Sequence, residues 1–208
     1  MEAKKFVEKK VIIKNARLSY PALWSPKPPP AGGEGAPRYS ATLILDPDNP
    51  SVAELSAAAK EVAREKWGAK ADAILAGIKE KGAVCFGRGE TKTNRDGEVP
   101  EELRGKVWVN VGRPEKDGPP LVVDKNPQVT VTEASGRVYA GCYVNAIVRI
   151  WPLDMPNVQR RIVAALDTIQ FVRDGDAFGG GRAPTTDGLE DLSDEEGTPE
   201  MAGADDLL

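Results

Sequence analysis

Residues 137–151 read RVYAGCYVNAIVRIW, and this stretch has the clearest strand pattern in the chain. Small apolar residues occupy every second position from Val138 to Ala146, as in a strand with one buried face. Gly141 interrupts the run and predicts a bulge or a bend. A strand of this length predicts a protein organised around a β-sheet.

Further strands are predicted on both sides of this stretch. Alternating or β-branched composition marks them at residues 11–18, 39–45, 106–111 and 121–123. Residues 162–172 fit either a strand or a helix, and the β-branched residues at their end favour a closing strand. Residues 128–132 fit either a short strand or a turn. Two segments read as loops, namely the proline-rich residues 21–37 and the polar, glycine-rich residues 87–105, which we expect to be mobile.

Two helices are predicted between the second strand and the polar loop. Ser51 and Glu54 have the spacing of a capping box, an apolar stripe of helical period follows, and Gly68 is a plausible end. A shorter helix is expected over residues 71–81. The pattern therefore predicts a mainly β (α+β) fold, a β-barrel of modest size with one or two inserted helices.

Composition excludes several classes of function. The chain contains no histidine and only two cysteines, Cys85 and Cys142, so triads and zinc sites that need histidine, and Cys₄ zinc sites, are excluded. The sequence contains no run of 18 apolar residues, so it predicts no membrane-spanning helix. We expect a reduced, cytoplasmic protein without a metal or other cofactor and without catalytic residues.

Charge is distributed unevenly along the chain. From Asp174 to Leu208 there are eleven acidic residues and one arginine, a net charge of −10, which leaves +6 on residues 1–173. We predict a folded domain at residues 1–174 and a disordered acidic tail at residues 175–208. A basic body joined to an acidic arm indicates an anionic ligand and an arm that competes with it.

The tail ends in a more specific pattern than a solubilising linker requires. Asp205 and Asp206 are followed by Leu207 and Leu208, and acid followed by an apolar pair is what a basic-rimmed apolar pocket would bind. These four residues are the predicted partner-binding site. A merely solubilising tail remains the alternative.

Aromatic and basic residues alternate on several predicted strand faces and border the loops. On such a surface aromatic rings stack bases and cations contact phosphates. Trp108 is expected to point outward, because Val107 and Val109 take the opposite face, whereas Trp67 is expected to pack in the interior. The predicted DNA-binding residues are Lys14, Arg17, Tyr20, Trp24, Tyr39, Arg88, Lys92, Lys106, Trp108, Arg113, Tyr139 and Arg149.

Four short stretches give the chain a family resemblance. They are ARLSYP at 16–21, RYSATL at 38–43, YAGCYV at 139–144 and IQFVRDGD at 169–176. With them the chain resembles tailed-phage single-stranded-DNA-binding proteins over residues 11–178. The resemblance implies an OB-fold, binding of single strands in replication or recombination in the host cytoplasm, and contacts of the tail with replication proteins such as a DNA polymerase, helicase or primase.

Other functions stay open at this point. A strand-annealing recombination factor would use the same surface. A protein-interaction adaptor would use the tail as its active element and the barrel as a scaffold, and a carboxylate enzyme using magnesium ranks last. The sequence leaves the oligomeric state undetermined, a homodimer included.

Overall fold

The computed structural model describes residues 7–29, 35–94 and 96–178. Its strands are β1 (Lys9–Lys27), β2 (Arg38–Leu45), β3 (Phe86–Arg88), β4 (Val107–Pro114), β5 (Leu121–Val123), β6 (Tyr143–Leu153) and β7 (Arg161–Arg173). Its helices are α1 (Pro50–Trp67) and α2 (Ala71–Glu80). Short 3₁₀ turns lie at Gly68–Lys70, Gly89–Thr91, Glu101–Leu103, Glu115–Asp117 and Glu133–Ser135.

Five of the strands close into a barrel. The sheet order is β3-β4-β2-β1-β6-β7-β5, and a parallel pairing of Gly112 in β4 with Ala165 in β7 joins the two ends of the five-strand core. The barrel strands therefore follow the circular order first, second, third, fifth, fourth. This is the Greek-key arrangement of an OB-fold, which confirms the expected fold class.

The interior of the barrel is apolar because one face of each strand is. Val144, Ala146, Val148 and Ile150 of β6 are all at most 1% exposed, and they alternate with half-buried residues. The barrel, with α1 packed against β1 and β6, buries one continuous core. This alternation is the reason that the strands could be predicted from the sequence.

The prediction of a loop at residues 21–37 was wrong in its first part, because strand β1 occupies it. It continues to Lys27 and pairs with β2 through Ala22 opposite Ser40 and Lys27 opposite Arg38. Register shifts interrupt this pairing on both sides of Ala22. Proline lacks the N–H that a regular ladder needs, and such irregular positions are where a strand tolerates it.

The observed strand β6 differs from the strand predicted at residues 137–151 at both ends. It begins at Tyr143, because the Cys142 N–H bonds to the Tyr139 carbonyl in a turn (3.2 Å), and it runs on to Leu153. Gly141 lies in this turn with φ of 113°, so it is not a bulge within the strand.

The two helices lie where they were predicted, but the cap of α1 was wrong. Asn49 is the N-cap, and its side chain accepts a hydrogen bond from the Ser51 N–H (2.9 Å), with Pro50 in the first turn. The Ser51 hydroxyl instead accepts from the Lys14 N–H of β1 (3.1 Å). Gly68 ends α1 as expected.

The segment between Gly87 and Gly105 has more structure than the predicted loop. Its start belongs to β3, which pairs with β4, and two 3₁₀ turns follow. Arg95 lies outside the described residues. Among the described helices, none is long and apolar enough to cross a membrane.

Candidate nucleic-acid interface

The outer surface of strands β1, β2 and β4 forms one continuous polar and aromatic surface, called here the outer β1–β2–β4 surface. Strand register places Ser19, Thr42 and Asn110 side by side on it, and the next row contains Arg17, Ile44 and Trp108. Ser19, Thr42 and Ile44 are only 2–6% exposed although they point away from the barrel core. Other parts of the chain therefore cover this surface in part.

Lys92 is one residue that reaches across it. Its ammonium lies 2.8 Å from Asn110 Oδ1 and 3.4 Å from Thr42 Oγ1. Burial lowers the pKa of Lys92, since desolvation disfavours the charged form. Its two oxygen partners are neutral, so no carboxylate among the described residues lies within hydrogen-bond reach to compete with a phosphate for this ammonium.

Trp108 points outward, as predicted, but it is only half-exposed. Its indole N–H donates to the Arg88 carbonyl (3.0 Å) and lies 3.3 Å from Thr91 Oγ1. The Lys92 ammonium lies 5.0 Å from the ring centroid, within cation–π range. A Cβ on Gly87 would lie 3.0 Å from the ring, so the indole packs closely against the β3 backbone.

A cavity of about 700 Å³ opens at one end of this surface. Its lining includes the side chains of Arg17, Tyr20, Lys106 and Phe178, and also Glu101 and Glu102. Two aromatic rings and two cations in one recess can hold a base and its phosphate. The two carboxylates restrict where a phosphate could lie.

Arg17 organises this cavity. Its guanidinium donates to the Asp176 carbonyl (2.6 Å) and the Gly141 carbonyl (3.2 Å), and its Cζ lies 4.4 Å from the Phe178 ring centroid. The Phe178 N–H also bonds to the Ala140 carbonyl (3.0 Å). Residues 175–178, assigned to the tail by the sequence, thus pack against the barrel.

Glycine permits this close approach. A Cβ on Gly141 would lie 2.1 Å from the Asp176 carbonyl oxygen, closer than any side chain allows. Tyr139 supports the same contact, because its hydroxyl bonds to the Gly175 backbone (2.9 Å to the carbonyl) and to Asp174 (3.2 Å). The pKa of Tyr139 is raised, mainly because burial disfavours the charged form of its hydroxyl.

Tyr20 is the most exposed large ring among the described residues. The residue is 64% exposed, and its backbone has φ of 48°. A left-handed conformation at a non-glycine residue costs about 1–2 kcal/mol and often marks a functional position. The strained backbone presents the ring to solvent at the mouth of the cavity.

Two predicted residues lie on another side of the barrel. Arg113 and Arg149 share the Asp167 carboxylate, with nitrogen–oxygen distances of 3.3 Å for Arg113 and 2.8 Å for Arg149. Arg149 also contacts Glu8 (3.0 Å), and its hydrogen bonds to Asp167 are the first cause that raises its pKa. Their charges are largely neutralised in place, which argues against a leading role in binding DNA.

The other predicted residues are scattered. Tyr39 is 8% exposed and Trp24 packs partly against the core, so neither ring is free to stack. Lys14 is exposed beside the start of α1, Arg88 is exposed at the end of β3, and Lys106 pairs with Asp46. Trp67 packs against the core as predicted.

Three residues around Arg17, namely Phe178, Tyr143 and Arg173, were absent from the predicted DNA-binding residues. Phe178 packs on Arg17, and Tyr143 lies between Arg17 and Arg173, whose Cζ is 3.3 Å from the Tyr143 ring centroid. Periodicity could not place Phe178, because its position depends on how residues 174–178 fold back. Tyr143 is brought beside Arg17 and Arg173 by strand pairing, which a local pattern does not encode. The stretches YAGCYV and IQFVRDGD, which carry the resemblance, were the available signal.

The predicted partner-binding site is not among the residues that the structure describes. Asp205, Asp206, Leu207 and Leu208 lie beyond the described residues. Within residues 7–29, 35–94 and 96–178, no three His, Cys, Asp or Glu side chains are grouped as a metal site would require.

An OB barrel with aromatic and cationic side chains on its outer surface defines an oligonucleotide-binding class of protein. The family described as "Enterobacter phage Enc34, ssDNA-binding protein" matches residues 9–199. The chain belongs to this family.

The chain is also similar to individual proteins, and the solved structures among them share its fold. The chain is 33% identical, over 96% of its length and 98% of the relative's, to "Putative protein p50" of Acyrthosiphon pisum secondary endosymbiont phage 1. The single-stranded DNA-binding protein from bacteriophage Enc34, solved in complex with ssDNA, has a TM-score of 0.63 at 20% identity and covers 85% of this chain and 100% of its own. A second structure of that protein has a TM-score of 0.61 at 20% identity, over 87% and 90% of the two chains.

Proposed function

We propose that this protein binds single-stranded DNA without sequence preference during phage DNA replication and recombination, and that it acts by binding without catalysis. The observation that carries the proposal is Tyr20, an exposed ring on a strained backbone beside Arg17 and Lys106. Stacking on a ring is tolerant of sequence, because every base has a π-face.

The path of the strand follows from this arrangement. The bases stack on Tyr20 at the cavity and pass along the outer β1–β2–β4 surface toward Trp108. Lys92 and Lys106 contact the phosphates. A strand bound here competes with the Lys106–Asp46 ion pair, which is weak because it is exposed, and with the part-buried contacts of Lys92.

Family membership favours this function over a protein-interaction adaptor, since the family is described as binding ssDNA. We further propose that the acidic tail docks replication proteins and competes with DNA for the basic surface. Charge supports that part of the proposal, with −10 on residues 174–208 and +6 on the remainder.

A titration with a fluorescent oligonucleotide tests the main proposal. Single-stranded and duplex DNA of the same length are titrated at two salt concentrations. If about four to six phosphates are contacted, log K for the single strand falls with log salt at a slope of about −3 to −4. A salt-independent affinity, or equal affinity for the duplex, would contradict the proposal.

A further inference from the structure

A second concave surface lies at the other end of the barrel. It is a groove of about 870 Å³ between α2 and the loop that joins β6 to β7, called here the α2 groove. Ile74 and Ile78 line one wall, and Met155 and Val158 line the other. The function proposed above makes no use of this groove.

The groove is open, and apolar side chains stand among charged ones in its lining. Met155 is 57% exposed and Val158 is 41% exposed, so two large apolar side chains of one loop face solvent together. Adjacent exposed apolar residues of this kind mark binding surfaces more often than isolated ones do.

Positive charge flanks the apolar walls. Lys66 and Lys81 line the groove, and neither takes part in an ion pair within the described part of the chain. The one carboxylate in the lining, Asp154, is occupied by Arg160 Nε (2.8 Å) and the Trp67 indole N–H (2.8 Å). These bonds, the Arg160 bond first, lower the pKa of Asp154, and the nearby charge of Lys66 adds a smaller effect in the same direction. The bond to Trp67 also ties the loop to α1.

We propose that the α2 groove binds the chain's own segment Asp205–Leu208. The two leucines would cover Met155 and Val158, and the two aspartates would meet Lys66 and Lys81. The match is one of chemistry, because the segment joins two acids to two apolar residues and the lining joins two lysines to apolar side chains.

The tail is long enough to reach the groove. Strand β6 runs from Tyr143, near the contact that fixes Phe178, to Leu153 beside the groove, and its 11 residues span about 35 Å. The 27 residues from Phe178 to Asp205 extend to about 90 Å at most, and a flexible chain of that length has a root-mean-square span of about 30 Å. Tethering gives an effective concentration near the millimolar range, so a weak contact suffices.

The consequence is a division of the tail between two surfaces. The tip binds the α2 groove, away from the outer β1–β2–β4 surface, and is withheld from a replication partner until that partner displaces it. The acidic residues between Asp187 and Glu196 remain able to compete with DNA. Groove docking and DNA competition can therefore be altered separately.

Backbone amide NMR of the full chain tests the proposal. Replacing both tip leucines (Leu207→Ser with Leu208→Ser) should shift the amides of groove residues such as Gly77 and Val158. Gly77→Leu should abolish the effect of the tip replacements, because Gly77 lines the groove and a Cβ there meets no atom within 4 Å apart from its chain neighbours and its own helix backbone. Leucine is also the better helix former, so the variant keeps α2 folded.

Matched controls keep each outcome interpretable. Ala57→Leu places the same side chain at an exposed position of α1 outside the groove, and the tip effect should persist. Lys66→Glu with Lys81→Glu should release the tip, whereas Lys70→Glu, an exposed lysine outside the groove lining, should not.

Three results would overturn the proposal. The first is that the tip replacements leave the groove amides unshifted. The second is that they shift Arg17 and Tyr20 instead, which places the tip on the DNA surface. The third is that the groove shifts vanish on dilution, which means that a second copy supplies the tip. Gly77→Leu should leave the oligonucleotide affinity unchanged, so failure here differs from failure of single-strand binding.

Discussion

At the scale of single residues, Tyr20 separates function from stability. Its φ of 48° is unfavourable for a residue with a Cβ, and the residue is 64% exposed, so folding gains little from it. Such a residue persists when something other than stability requires it.

We therefore predict opposite effects of Tyr20→Gly on stability and on binding. Glycine adopts a positive φ without strain, so the free energy of unfolding should stay equal or rise by up to about 1 kcal/mol. Oligonucleotide binding should weaken by about 1–3 kcal/mol if the ring stacks a base. The measurements are thermal unfolding and a fluorescence titration.

Asn15→Gly is the matched control for that variant. Asn15 has a similar φ of 51° on the same strand but carries no ring, so the replacement should leave DNA affinity unchanged. Equal losses of affinity in the two variants would assign the effect to the β1 backbone instead of the Tyr20 ring.

Trp108 combines a structural role with the proposed binding role. The indole donates a hydrogen bond to the Arg88 carbonyl and packs on Gly87, so the ring is not a free platform. A fully exposed ring could be removed without loss of stability, and the half-buried position changes that expectation.

Two replacements of Trp108 should distinguish the roles. Trp108→Phe keeps a ring and loses the N–H donor, which should lower the free energy of unfolding by about 1 kcal/mol with most of the affinity retained. Trp108→Ala should reduce both stability and affinity, the latter by about 1–3 kcal/mol. Unchanged affinity in Trp108→Ala would remove the residue from the proposed interface.

At the scale of elements, the segment between β3 and β4 depends on one glycine. The Gly89 N–H bonds to the Lys106 carbonyl (2.7 Å), and a Cβ at Gly89 would lie 1.6 Å from the Leu103 carbonyl oxygen. Backbone must move to admit any side chain there. The segment also carries Lys92 onto the outer β1–β2–β4 surface.

Gly89→Ala should therefore loosen the segment and reduce DNA binding together. We expect a loss of about 2 kcal/mol or more in the stability of the segment, since backbone strain and lost packing are among the larger mutational effects. Hydrogen exchange at the Lys92 and Gly105 amides should accelerate. Gly77→Ala is the control, because Gly77 lies in a helix with open space around it and the change should stabilise α2.

The same scale shows which elements a sequence can predict. Strands β4, β5 and β7 and both helices were predicted close to their observed bounds, because each carries its own period or β-branched composition. The second half of β1 was missed, since its prolines read as loop and only pairing with β2 makes it a strand. The Asn49 cap was missed because Ser51 and Glu54 fit a standard capping spacing.

At the scale of the whole molecule, prediction from the sequence reaches its limit in contacts between distant residues. Barrel closure rests on a single pairing of Gly112 with Ala165, which no local pattern encodes. The Arg17 guanidinium bonds to a carbonyl 159 residues away in sequence. The cavity was therefore predicted only in its local members Arg17, Tyr20 and Lys106, and Phe178 was not.

The whole molecule also sets how the acidic tail should act on DNA binding. Residues 175–178 are fixed beside the cavity by Arg17 and Tyr139, so the chain leaves the barrel next to the proposed DNA site. From there, thirty residues of glycine-rich and polar composition have a root-mean-square reach of about 30 Å if they behave as a flexible chain. The acidic tail and the DNA would therefore compete for the same basic side chains of the barrel.

Deleting residues 187–208 should accordingly tighten binding to single-stranded DNA, because it removes nine acidic residues that compete at high effective concentration. The gain should be largest at low salt, where attraction between tail and barrel is least screened. Deleting only Leu207 and Leu208 should leave DNA affinity nearly unchanged, since they carry no side-chain charge, yet weaken capture of a replication partner. The measurement is a pair of titrations with each truncation at low and high salt. Unchanged or weaker DNA binding after the long deletion would show that the tail is no competitor and would leave it only its docking role.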